Sequence, residues 1–115
     1  MWLADQEEAT LVSCPITEMG CVRVLSQTKA NHGMSLSQLT EFVAPFFNRC
    51  EHWPCDIRLS DSQRFNKEFI HGHKQLTDIY LLGLANARNG AFVTLDRSIA
   101  IAAVRGAADH HLIVL

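Results

Sequence analysis

The stretch from Leu76 to Asp96 constrains this chain most, because it predicts a helix, a turn and a strand with an acid at each outer end. Thr77 is the expected N-cap, which puts Asp78 in the first turn, where the helix dipole favours a negative charge. Apolar residues lie on nearly every side of the helix, so it is expected to be buried. An Asn-Gly pair predicts the helix stop, and a short apolar β-prone run predicts a buried strand ending at Asp96.

The lengths of these two elements bring their acids together. A dozen helical residues span about 18 Å, and five strand residues span about 17 Å in the return direction. Asp78 and Asp96 are therefore expected at one edge of the sheet, and ligands bind at the carboxyl edge of open parallel sheets. The plainer alternative, a helix-start acid and a turn residue without further role, stays open.

A third acid occupies a similar position earlier in the chain. Thr10 to Cys14 predicts a strand, Pro15 suits the first turn of a helix, and residues 16–27 continue that helix. Glu18 falls in its first turn. If the strands are parallel, Glu18 lies on the same edge as the two aspartates; the alternative is a surface acid that only stabilises the helix dipole.

The remaining pattern completes an α/β chain. A capping box opens a helix at 36–48 whose apolar stripe is assigned to the core: Leu39, Phe42, Val43 and Phe46. Four more elements are predicted: a minimal strand at 57–59, a helix capped by Ser60 or Asp61, a short helix at 98–105 and a strand at 111–115. Strands alternating with helices predict one domain, residues 1–115, with a parallel sheet covered by helices.

Composition narrows the class of protein. A net charge of −2 and a pI near 6.3 give no overall basic field for nucleic acid, although a local patch would suffice. No apolar run has the length of a membrane span, and no signal peptide is recognised at the start of the chain. The four cysteines are interpreted as reduced thiols, so a cytoplasmic location without membrane association is expected.

The chemistry of the site follows from the acids. Carboxylates that converge repel one another, and they stay ionised only if a cation neutralises them. Hard oxygen ligands suit Mg²⁺ or Mn²⁺, and a metal held by carboxylates is a common device for hydrolysing phosphodiesters. Lys74 and Arg97 flank two of the acids and are candidates to position a nucleic-acid backbone.

Several stretches together carry a family resemblance: Cys14-Pro15-Ile16-Thr17-Glu18, Arg23-Val24-Leu25-Ser26, His52-Trp53-Pro54, Leu76-Thr77-Asp78-Ile79-Tyr80-Leu81-Leu82 and Val93-Thr94-Leu95-Asp96-Arg97. In this order and spacing they resemble PIN-domain proteins of the VapC toxin group, the ribonuclease half of bacterial toxin–antitoxin pairs. The T-D-x-Y-L and T-x-D-R pieces are the more specific, and the similarity runs over essentially the whole chain.

The resemblance implies an Mg²⁺-dependent (or Mn²⁺-dependent) endoribonuclease acting on single-stranded or structured RNA, with a cognate antitoxin as partner and a homodimer as assembly. The family's acids map onto three positions, which are the candidate catalytic and metal-binding residues: Glu18, Asp78 and Asp96. Neighbouring residues of the same motifs are the candidate substrate contacts: Thr77, Thr94 and Arg97.

The sequence departs from the family at its start. The family's first acid closes a central strand that precedes the stretch matching Trp2, and Asp5 does not replace it because no apolar strand leads into it. The expected fold is therefore a PIN-like parallel sheet flanked by helices, lacking the first (central) strand and first helix. Two alternatives stay open: an inactive, degenerate PIN domain that keeps antitoxin binding, RNA binding or dimerisation, and an unrelated α/β domain whose acids are only caps.

Overall fold

The structure, a computed structural model, describes residues 10–28 and 33–115. The expectations about the first residues, Trp2 and Asp5 included, and about most of the loop after the first helix lie outside these ranges. The chain divides into two compact units, Met1–Cys55 and Asp56–Leu115, and each is described by itself. The prediction of a single domain stays a prediction.

The described part of the first unit contains two helices and one pair of short strands. In chain order these are β1 (Val12–Ser13), α1 (Pro15–Gln27), α2 (Leu36–Arg49) and β2 (Glu51–His52). The two strands pair in parallel, with Ser13 opposite His52. Both helix starts were predicted from local signals: a proline opens α1, and the capping box Ser35–Gln38 opens α2 with both of its hydrogen bonds formed.

Only half of the apolar stripe of α2 is buried in the core, so the prediction that the whole stripe is core is wrong. Leu39 and Val43 are buried, whereas Phe42 and Phe46 are 68% and 52% exposed. The two phenylalanines, four residues apart, form a row of their own beside the buried pair on the helix surface. The described residues cover the first row and leave the second open.

The second unit packs around one buried helix. Its elements are α3 (Leu76–Ala87), β3 (Phe92–Thr94), β4 (Leu112–Val114) and short 3₁₀ turns at Lys67–Phe69, His73–Gln75, Ile101–Ala103 and Asp109–His111. Strands β3 and β4 are parallel, with Phe92 opposite Leu112. Both strands and the buried character of α3 were predicted, and Ile79 and Leu82 at its centre are fully buried.

The start of α3 differs from the prediction. Thr77 is not the N-cap, because a 3₁₀ turn at His73–Gln75 runs directly into the helix and Gln75 already has helical dihedral angles. No extended residue remains to serve as a cap. Asp78 nevertheless lies in the first turn, as expected.

The end of α3 follows the sequence signal. Asn89 adopts a left-handed conformation, with φ of 54°, and the backbone N–H of Gly90 donates to the carbonyl of Ala85 at 2.8 Å. This is the left-handed termination that Asn-Gly favours. The chain then turns into β3.

Two predicted helices, the one capped near residue 61 and the one at 98–105, are wrong for a shared reason. Phe65 and Val104 form an antiparallel bridge. The N–H of Asn66 donates to the carbonyl of Ala103, and the N–H of Arg105 to that of Arg64, each at 2.8 Å. These long-range bonds hold both segments extended, so only single 3₁₀ turns form beside them.

The predicted strand at 57–59 is also wrong. Ile57 is buried, but its carbonyl accepts a hydrogen bond from the Tyr80 hydroxyl at 2.8 Å instead of pairing with a strand. The strand that precedes this segment is β2, which lies at the start of the His52-Trp53-Pro54 motif.

Close packing against α3 gives a stability prediction. A Cβ at Gly83 would lie 2.5 Å from Cζ of Phe65, whose ring is 1% exposed. Gly83→Ala is therefore expected to lower the free energy of unfolding by about 1–3 kcal/mol through overpacking. Gly20→Ala in α1 is the matched control, because its Cβ would meet no atom within 4 Å, and it should raise that free energy by about 1 kcal/mol. The free energies of unfolding are measured by urea denaturation, and equal changes for Gly83→Ala and Gly20→Ala would contradict this account.

The architecture is α/β with two parallel strand pairs, which is compatible with a PIN-like fold. The absence of a first central strand and first helix stays a prediction. None of the helices within residues 10–28 and 33–115 combines the length and the apolar character that a membrane span requires.

Candidate active site

Asp78 and Asp96 are brought to the same place by α3 and β3. Asp78 is in the first turn of α3, and Asp96 stands two residues after β3 ends. Burial and, secondarily, the negative charge of Asp96 raise the pKa of Asp78 above its usual value. The carboxylates are therefore near enough to repel each other, as the helix and strand lengths predict.

Asp96 is fixed by a tight turn. Its Oδ1 accepts a hydrogen bond from the Ser98 hydroxyl at 2.6 Å and another from the Ser98 backbone N–H at 2.8 Å. These bonds lower the pKa of the exposed Asp96 carboxyl. The backbone N–H of Asp96 donates to Oγ1 of Thr94 at 3.0 Å, so the strand end also contributes to the turn. Asp96 is held as an ionised, oriented carboxylate.

The two aspartates fit a divalent cation. Carboxylate oxygens are the ligands that Mg²⁺ and Mn²⁺ prefer. A cation would relieve both causes of the raised pKa of Asp78, the burial of its charge and the repulsion from Asp96. Within each unit, the described residues contain no group of three or more His, Cys, Asp or Glu side chains placed to hold a metal. That Glu18 joins the aspartates as the third ligand stays a prediction.

Glu18 has a defined environment inside its own unit. It lies in the first turn of α1, and its Oε2 accepts a hydrogen bond from the Ser13 hydroxyl at 2.8 Å. Nδ1 of His52 lies 3.2 Å from the same oxygen. Ser13 and His52 are opposite each other in the parallel pair of β1 and β2, so both strands contribute a side chain that contacts Glu18.

The candidate substrate contacts are mostly exposed. Thr77, Lys74 and Arg97 are exposed on the surface of the second unit. Thr94 is partly buried, and its hydroxyl accepts the hydrogen bond from the backbone N–H of Asp96. Thr94 therefore has a structural task in addition to any contact with substrate. The roles of these residues toward RNA stay predictions.

Sequence reasoning missed the polar residues around the acids. Ser98 had a local signal, because an Asp followed two residues later by Ser is typical of a side-chain-stabilised turn. His52 had none, since its contact with Glu18 spans 34 residues of sequence and depends on the pairing of β1 with β2. Ser13 lies only five residues before Glu18, but nothing in its local sequence pointed to the hydrogen bond. His52 was seen only as part of a motif.

Comparison with known proteins gives the family. The chain is 40% identical over 116 aligned positions to "Ribonuclease VapC44" of Mycobacterium tuberculosis strain H37Rv, an alignment that takes in 99% of this chain and 82% of the relative. Ribonuclease VapC39 of the same strain is 27% identical over 91% of this chain, and ribonuclease VapC29 is 29% identical over 86%. No protein-family model matches the chain, and no solved structure does either.

These relatives confirm the sequence resemblance to the VapC group. At 40% identity over most of both proteins, the chain belongs to the VapC ribonuclease family.

Proposed function

We propose that the chain is an endoribonuclease that hydrolyses RNA phosphodiesters with a divalent cation held by Glu18, Asp78 and Asp96. One observation carries the aspartate part of the site: burial and, after it, the negative charge of Asp96 raise the pKa of Asp78, so the two carboxylates lie close together. Such an arrangement costs stability and is typical of functional sites. The family relationship to proteins named ribonucleases supports the reaction.

In this proposal Glu18, Asp78 and Asp96 would hold Mg²⁺ or Mn²⁺, and the ion would supply activation of the attacking water and stabilisation of the charge on the phosphate. The protein's own groups do the rest. Ser98 keeps Asp96 ionised and oriented through two hydrogen bonds, and the exposed Arg97 is the first candidate to contact a phosphate of the RNA backbone. Thr77, beside Asp78 on the first turn of α3, is the second candidate contact with substrate.

The experiment is RNA cleavage by the purified chain, with single-stranded and structured RNA, in Mg²⁺, in Mn²⁺ and in chelator. Internal cuts that need the metal support the proposal. RNA that is bound without turnover in a mobility-shift assay favours the alternative of a degenerate, binding-only domain. RNA that is neither bound nor cleaved would contradict both the ribonuclease proposal and the binding-only alternative.

We further propose an antitoxin as the partner of this chain. An apolar groove of about 680 Å³ lies between α1 and α2 in the first unit and supports this, because it offers a surface for a mostly apolar segment. Glu18 stands among the lining residues, so a bound partner would lie beside a proposed site residue. Co-expression with the antitoxin should suppress metal-dependent cleavage.

We also propose that the chain forms a homodimer. The exposed pair Phe42 and Phe46 supports it, since large apolar side chains that are open to water are typical of interfaces. Light scattering is expected to find the dimer, and the double substitution Phe42→Ser with Phe46→Ser is expected to weaken it. A wild-type chain that stays monomeric at the concentrations of the cleavage assay would contradict this proposal.

A further inference from the structure

The Ser13–His52 pair contacts one oxygen of Glu18 and leaves the other available. Both the Ser13 hydroxyl and Nδ1 of His52 approach Oε2, at 2.8 and 3.2 Å. Within the described residues, Oε1 of Glu18 makes no hydrogen bond. As far as residues 10–28 and 33–115 are concerned, the carboxylate is therefore held at one end, and its second oxygen is open to act as a ligand.

Rigid elements hold these donors in place. Ser13 is 4% exposed and faces His52 across the β1–β2 pair, so the two donors have a fixed spacing. The backbone N–H of Trp53 donates to the carbonyl of Ser13 at 2.9 Å, which locks the strand register beside His52. Because a carboxylate oxygen only accepts hydrogen bonds, Nδ1 of His52 carries the hydrogen in this contact.

We propose, resting on the proposed function, that Ser13 and His52 are positioning residues that occupy Oε2 of Glu18 and so present Oε1 to the divalent cation. A carboxylate free to rotate would lose side-chain entropy when it binds a cation. One held by two donors loses less, and its bound geometry is defined in advance. Partners of this kind around metal ligands are worth about 10- to 100-fold in metal affinity.

The test measures Mn²⁺ affinity from the electron paramagnetic resonance signal of free Mn²⁺, so that no turnover is needed. Ser13→Ala and His52→Ala are each expected to weaken binding by about tenfold or more. His52→Asn places an amide N–H near the position of Nδ1 and should recover most of the loss. His71→Ala changes another exposed histidine, in the other unit, and it should leave the affinity unchanged.

The outcomes separate this inference from the proposed function. Full affinity in Ser13→Ala and His52→Ala, together with loss in Glu18→Gln, would overturn the positioning role and leave the metal site intact. Full affinity in Glu18→Gln would also overturn it and would remove Glu18 from the proposed site; loss in Asp78→Asn would then support only a site held by the two aspartates. A wild-type chain that binds no Mn²⁺ would overturn both. Since His52 is largely exposed, its variants test the inference even if Ser13→Ala fails to fold.

Discussion

Replacing Asp78 by asparagine is expected to lower the rate of metal-dependent RNA cleavage by about 100-fold or more, because a held cation contributes several kcal/mol to the transition state and each 1.4 kcal/mol is a factor of ten. The amide is nearly the same size as the carboxylate and should preserve the first turn of α3. What it removes is a charged oxygen ligand. The measurement is the single-turnover rate on one labelled RNA at saturating Mg²⁺.

Asp109→Asn is the matched control, since it makes the same chemical change at an exposed aspartate of the same unit, also in the first turn of a short helix. It should cleave at the wild-type rate. A contaminating nuclease would leave all three preparations equally active. Wild-type cleavage by a properly folded Asp78→Asn variant would remove Asp78 from the site.

The second large effect is the stabilisation that a cation gives to the folded chain. At a concentration 100 times its Kd, a ligand that binds only the folded state stabilises it by about 2.7 kcal/mol. For a chain of this length that corresponds to a rise in melting temperature on the order of 10 °C. Millimolar Mg²⁺ or Mn²⁺ should produce such a rise in the wild type, and Asp78→Asn and Asp96→Asn should each abolish it. An equal rise in either variant would indicate non-specific screening.

Without metal, the two substitutions should act in opposite directions. Asp78 has a raised pKa in the fold, so its stabilising contribution is present below its unfolded pKa and is lost as pH rises through the folded pKa. At neutral pH the ionised group is a net cost, and Asp78→Asn should raise the melting temperature. Asp96 has a lowered pKa, so its contribution is present above the unfolded pKa and is lost as pH falls through the folded pKa. Asp96→Asn should therefore lower the melting temperature at neutral pH.

Melting curves in chelator at several pH values check this contrast. The advantage of Asp78→Asn over the wild type should shrink as the solution is acidified toward the pKa of Asp78. The deficit of Asp96→Asn should shrink too, at lower pH. Two variants that shift together at every pH would contradict the assignment of different environments to these carboxylates.

Local chemistry explains why much of the fold was predictable. Pro15 favours a helix start, Ser35 and Gln38 satisfy each other's backbone groups, and Asn89 tolerates the left-handed turn that ends α3. Each signal acts over a few residues and needs no knowledge of the rest of the chain. The positions of Asp78 and Asp96 followed in the same way, from the lengths of one helix and one strand.

The failures involve contacts between residues far apart in sequence. Two segments that were predicted to be helical are extended because Phe65 and Val104 form a bridge. Neither segment alone contains a sequence signal for this bridge. His52 beside Glu18 is a similar case, since their contact exists only because β1 pairs with β2. Helix propensity and capping signals are weak enough for such pairings to override them.

Iron-directed cleavage of the protein backbone tests the central claim most directly, the claim that Glu18, Asp78 and Asp96 hold one cation. Fe²⁺ replaces Mg²⁺, and with peroxide and ascorbate it produces radicals that cut the chain next to the bound ion. The account predicts cuts in three short stretches, around Glu18, around Asp78 and around Asp96, all suppressed by excess Mg²⁺. Cuts at the two aspartates without any near Glu18 would contradict the shared site, and cuts elsewhere alone would contradict the site altogether.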